Sequence, residues 1–90
     1  YSTEVEYALY MHPDILEAAV IGLPDDHWGE AVKACVVLKE GHKVTAEEII
    51  AFCKENLAHY KAPKSVDFLS ALPKTGSGKI YKKGLREKYS

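Results

Sequence analysis

The chain has 90 residues, enough for one small domain with a modest core, because a chain of this length buries only about 60% of its unfolded surface. Hydrophobic residues at 47% and charged residues at 28% argue against disorder, and a formal net charge of −1 excludes a polycation that coats nucleic acid or membrane indiscriminately. No apolar run approaches the roughly 18 residues of a membrane span, and no basic start leads into an apolar stretch, so neither span nor signal peptide is visible and a cytoplasmic setting is expected.

The chain opens on Tyr1 rather than methionine, from which a fragment or a processed chain is expected. Thr3-Glu4-Val5-Glu6 has the form of a capping box, and Val5, Ala8, Leu9 and His12 follow at helical spacing. His12-Pro13-Asp14 ends that helix, since the residue before a proline avoids the α region. Residues 15–22, with Ala18, Ala19, Val20 and Ile21, read as a strand. Leu23-Pro24-Asp25-Asp26 reads as a turn cluster that continues through Trp28-Gly29-Glu30. A second strand is expected over residues 31–40, where β-branched Val32, Val36 and Val37 concentrate, and Gly41 breaks it.

Thr45-Ala46-Glu47-Glu48 is a second capping box. Behind it Ile49, Ile50, Phe52, Cys53 and Leu57 form one apolar stripe that ends near Tyr60 and Pro63. Residues 65–72, with Val66, Phe68 and Leu69 around Asp67 and Ser70, predict a short half-buried strand. A glycine-rich loop follows over residues 73–79, and residues 82–89 close as a helix. The order is α-β-β-α-β-loop-α. It predicts an α+β fold, a single small two-layer domain over residues 1–90 with about three strands covered by helices. The connection from the second strand to the third is long enough for a right-handed crossover.

Cys35 and Cys53 lie in apolar surroundings and form no CxxC pair, so buried free thiols in a reducing compartment are expected. His12, His27, His42 and His59 are scattered without helical partners, and no metal site is predicted. Charge is unevenly spread. Residues 1–60 hold four lysines against eleven acidic residues, whereas residues 61–90 hold seven lysines and one arginine against Asp67 and Glu87. A basic end of this kind meets phosphates or an acidic surface, or else Lys82, Lys83, Arg86 and Lys88 solvate the last helix and complement its dipole.

Gly76-Ser77-Gly78-Lys79 is not a P-loop, because that motif needs glycine where Pro73 stands and serine or threonine where Ile80 stands. What remains is a lysine on a short flexible arm, a point charge suited to phosphate or carboxylate oxygens. The run 72–80, Leu-Pro-Lys-Thr-Gly-Ser-Gly-Lys-Ile, resembles the catalytic-lysine motif of the adenylate-forming superfamily: acyl-CoA synthetases, luciferases and peptide-synthetase adenylation domains. Four further segments resemble that family in the same order. They are residues 1–6 with the following His12-Pro13, residues 18–25, Trp28-Gly29-Glu30, and Tyr60-Lys61-Ala62-Pro63-Lys64.

The resemblance implies a mobile C-terminal lid domain of a larger enzyme whose N-terminal domain binds ATP, its Mg2+ and a carboxylic acid. Lys79 would be the adenylation lysine, delivered between carboxylate and α-phosphate, with Thr75, Gly76, Ser77 and Gly78 positioning it. The lid would then turn so that CoA attacks the acyl-adenylate. Tyr1 and Ser2 resemble the stretch that approaches the thiol tunnel, Trp28 a surface used in one lid orientation, and Lys61 and Lys64 a docking surface; packing on the sheet is the alternative for Trp28, and exposed structural lysines for Lys61 and Lys64. Gly22, Pro24, Gly29 and Glu30 are expected to fix the hairpin.

ATP and CoA are thus expected as substrates, with no cofactor held by this piece alone, which should be inactive in isolation. The form Thr-Gly-Ser-Gly-Lys-Ile followed by Tyr81-Lys82-Lys83 fits acyl-CoA ligases better than peptide-synthetase domains. Acetate, aryl acids and fatty acids stay open as substrates, with fatty acid metabolism the expected setting. The alternatives are a peptide-synthetase-type lid and a free-standing module that puts its basic end on nucleic acid; Tyr81 and Tyr89 are thin support for the second, and no nucleic-acid partner is expected. Two further expectations are acylation of the exposed Lys79, which would remove its charge, and self-association of the isolated domain through an uncovered apolar patch.

Overall fold

The computed structural model describes residues 2–26, 29–57 and 62–89, with only the backbone of Ser2 and Asp25. The elements run α1 (Ser2–Tyr10), β1 (Ile15–Asp25), β2 (Gly29–Leu38), α2 (Ala46–Asn56), β3 (Ser65–Phe68) and α3 (Lys82–Lys88), the order the sequence predicts. β1 pairs with β2 antiparallel, and β2 with β3 parallel, so the mixed sheet has the order β1-β2-β3 with β2 in the centre. α2 lies in the connection between the two parallel neighbours.

β1 runs past the expected stop at residue 22, because Leu23, Pro24 and Asp25 stay in register opposite Ala31, Glu30 and Gly29. Pro24 is tolerated there because β1 is an edge strand and proline lacks only the outward N–H. Along that outer edge, Tyr10 Oη donates to Ala18 O at 3.2 Å and accepts the Ala18 N–H at 3.1 Å. Glu6 Oε2 accepts the Val20 N–H at 2.8 Å. The Thr3–Glu6 capping box is therefore not used. Thr3 already lies inside α1, and the Glu6 carboxylate reaches the sheet edge instead.

The second capping prediction is realised: Thr45 caps α2 and its Oγ1 accepts the Glu48 N–H at 3.1 Å. That helix stops at Asn56, earlier than the stripe suggested. Leu57 is already extended, and Asn56 Nδ2 donates to the Phe52 carbonyl at 2.8 Å. Tyr60 lies outside the described residues. β3 is four residues rather than eight, since after Leu69 donates to Val36 O the chain turns away and buries Leu72 elsewhere.

Alternation along β1 and β2 divides the core in two. Val5 and Leu9 of α1 and Ile49 and Cys53 of α2 pack with Ala18, Val20, Ala34, Val36 and Val66 on one face. Ala19, Ile21, Cys35 and Val37 face the other way and are covered by Leu72 and Leu85, with Ile80 and Tyr89 at the margin. The two-layer expectation describes the α1/α2 face; the opposite face is closed by the short α3 and the segment that leads to it.

Both cysteines are free and buried, and burial pushes both thiols above their ordinary pKa. The end of α3 is held by Lys33, whose Nζ lies 4.7 Å from the centre of the Tyr89 ring and 3.6 Å from Asp67 Oδ1. Burial, with the Asp67 carboxylate beside it, pushes the Tyr89 hydroxyl up as well.

Candidate functional site

The segment after β3 leaves and re-enters the second core cluster within nine residues. Leu72 is buried at one end and Ile80 packs on the same cluster at the other, while residues 74–79 between them are exposed. The two feet are cross-linked by an antiparallel bridge between Lys74 and Ile80 and by the Tyr81 N–H on Pro73 O at 2.8 Å.

Within the loop the Gly78 N–H donates to Thr75 O at 2.9 Å and the Thr75 N–H to Lys79 O at 2.7 Å. Gly78 has φ +89°. These are the hydrogen bonds of a three-residue hairpin loop closed by a bulge glycine, a position that needs the left-handed side of φ space. The Thr75 side chain adds a further tie. Its Oγ1 accepts the Lys79 N–H at 3.2 Å and lies 3.0 Å from Ser77 Oγ. The flexible arm expected from sequence is thus a small hairpin with defined internal bonds, and Lys79 stands exposed on its returning strand.

Two ion pairs bracket this hairpin. Lys74 Nζ lies 2.8 Å from Glu17 Oε2 of β1, and Lys82 Nζ lies 2.6 Å from Glu6 Oε2 of α1. Sequence reasoning missed all four residues as a set, because the partners are separated by most of the chain and no local motif marks them. Between α3 and the β1–β2 hairpin, Lys82 and Arg86 form one wall of a cleft of about 370 Å³ whose other wall includes Gly22, Glu30 and Val32. The Glu30 carboxylate sits where a Cβ on Gly22 would be, so this glycine does make room within the hairpin, as expected.

Of the residues singled out from sequence, Thr75, Gly76, Ser77, Gly78 and Lys79 come together in the hairpin. Ser2 begins α1, and Lys64 is exposed just before β3, its backbone N–H donating to Val32 O at 2.8 Å. Tyr1, Trp28 and Lys61 lie outside the described residues. Among the described residues no group of three His, Cys, Asp or Glu is arranged to hold a metal ion, and no helix is long and apolar enough to cross a membrane.

The exposed Lys79 and its braced hairpin lie in a sequence that matches a known protein family. Residues 4–79 match the family described as the AMP-binding enzyme C-terminal domain. The chain belongs to that family. The mitochondrial medium-chain acyl-CoA ligase of Danio rerio is 50% identical over 88 residues, which are 98% of this chain and 14% of that protein. Among solved structures, the fatty acyl CoA synthetase of Mycobacterium tuberculosis superposes with a TM-score of 0.93 at 44% identity, over 100% of this chain and 18% of that one. ATP-bound MatB from Rhodopseudomonas palustris gives 0.94 at 36% identity, over 99% and 18%. This AMP-binding enzyme C-terminal domain therefore spans between 14% and 18% of the length of these relatives.

Proposed function

We propose that this domain is the mobile lid of an AMP-forming acyl-CoA synthetase and that Lys79 is its adenylation lysine. The observation that carries the reading is the hairpin, which holds the Lys79 backbone by two hydrogen bonds while leaving the residue exposed. In the first half-reaction a carboxylate oxygen attacks the α-phosphorus of ATP, and pyrophosphate leaves with the bonding electron pair. Two anions must meet, and negative charge shifts onto the oxygens between them. A fixed ammonium at that junction stabilises the transition state more than the separated reactants.

In the second half-reaction the CoA thiol loses its proton, its sulfur attacks the acyl carbon, and AMP leaves. No cation is needed at the junction of carboxylate and α-phosphate at that point, so the lid turns and withdraws Lys79. In this reading a large N-terminal domain holds ATP with its Mg2+ and the acid. Tyr1, Ser2, Trp28 and Lys61 belong to the docking and thiol side, and the domain alone is inactive. The buried reduced thiols of Cys35 and Cys53 support a reducing compartment, for which we propose the cytoplasm. Exposed Tyr7 and Tyr10 on α1, with Met11 just after it, support self-association of the isolated domain, which sedimentation at rising concentration tests.

The decisive experiment uses the full-length enzyme with Lys79→Ala and a panel of acetate, octanoate, palmitate and benzoate. Acid-dependent ATP–pyrophosphate exchange should fall by about 10²- to 10³-fold, as for loss of one preorganised transition-state partner. Thioester formation from preformed acyl-adenylate and CoA should persist. Exchange at the unsubstituted rate would overturn the reading.

A further inference from the structure

We propose that Glu17 and Lys74 are positioning residues for the Lys79 hairpin, joined as an ionic strut that fixes the direction in which the loop stands; this rests on the reading of Lys79 given above. The hairpin's internal hydrogen bonds set its shape but not its angle to the sheet. Its feet, Leu72 and Ile80, fix two points in the core. A third point is needed to stop rotation about the line between them, and the Lys74–Glu17 contact at 2.8 Å supplies it.

The strand geometry that aims Glu17 is specific. Ile15 packs on the α1/α2 face with Ala18 and Val20, whereas Ala19 and Ile21 face the hairpin side. Strict alternation would put Ile15 and Glu17 on one face. The register shifts between Ile15 and Glu17, so the irregularity turns Glu17 towards the hairpin while Ile15 stays in the other core. On the far side of the loop Lys82 is held by Glu6. Glu6 also accepts the Val20 N–H, so its removal disturbs the sheet edge as well, and Glu17 is the residue to substitute.

Both side chains of the strut are partly exposed, Lys74 at 38% and Glu17 at 29%, so its effect is moderate. An ion pair of this exposure shifts the population of the upright loop by about two- to fivefold. A small misplacement of a reacting group is felt strongly in rate, so the loss appears in the adenylation step.

The test uses the full-length enzyme, with the acid from the panel above that gives the fastest exchange, and compares Glu17→Gln, Lys74→Met and the reversed pair Glu17→Lys with Lys74→Glu. The single variants should speed amide hydrogen exchange across residues 73–81 and slow pyrophosphate exchange by about two- to fivefold. Thioester formation from acyl-adenylate and the melting temperature should stay at the unsubstituted values, and the reversed pair should recover both altered readouts. Unchanged hairpin amide exchange in both single variants, equal slowing of both half-reactions, or failure of the reversed pair would overturn the proposal. Should Lys79→Ala leave adenylation intact, the role of Lys79 falls. Amide exchange in Glu17→Gln still decides whether the strut orders the hairpin.

Discussion

Gly78 and Thr75 do different jobs in the same five residues. At φ +89° a side chain on residue 78 is strained, and nothing lies within 4 Å of the position its Cβ would take. The penalty is therefore conformational, about 1–2 kcal/mol, and it falls on an exposed loop rather than on the core. Gly78→Ala should slow pyrophosphate exchange by about tenfold while leaving the melting temperature within a degree or two. Thr75 contributes a hydroxyl, so Thr75→Val should slow the same step and Thr75→Ser should retain it, read by the same exchange assay. Lys79 was legible in the sequence because its glycine-rich frame is local. Glu17 was not, because its partner is 57 residues away and only the folded sheet brings them together.

Among the elements, a capping-box pattern marked a helix start only where the capping side chains have no better partner. Thr45 keeps its bond to the Glu48 N–H, and Thr45→Ala should lower stability by about 1 kcal/mol, seen as a lower urea midpoint at constant slope. At the other candidate start the pattern was present but Glu6 is committed to β1 and Lys82, so no box forms. The strand ends were misread for a related reason: proline signals a turn in isolation, yet Pro24 sits harmlessly on an outer edge opposite Glu30. The apolar stripe of α2 was read correctly in kind. Ile49 and Cys53 are fully buried, and Ile49→Ala should cost about 2–5 kcal/mol, measured by the same denaturation.

For the molecule as a whole, pH acts through groups that stay neutral in the fold. Burial raises the Cys35 and Cys53 pKa above 9.0, so the unfolded chain releases these protons before the folded one does. Their contribution is complete below pH 9.0 and is lost as pH rises from there through the raised folded values. The urea midpoint should be insensitive to these thiols between pH 7 and 8 and fall above about pH 9, less steeply in Cys53→Ala. The α+β class and the element order were legible because apolar periodicity changes cleanly along the chain. The covering of both sheet faces was not, since it depends on where α3 folds back.

One edge of the sheet has a further consequence. A strand with free outward amides is a template on which other chains can stack into cross-β fibrils. Along β1 the phenol of Tyr10 occupies Ala18, the carboxylate of Glu6 occupies the Val20 amide, and Pro24 has no amide to offer. In the proposed cycle the domain repeatedly releases one surface before engaging the next. On that reading, an edge filled at these positions offers fewer free amides for another chain to pair with while the domain moves.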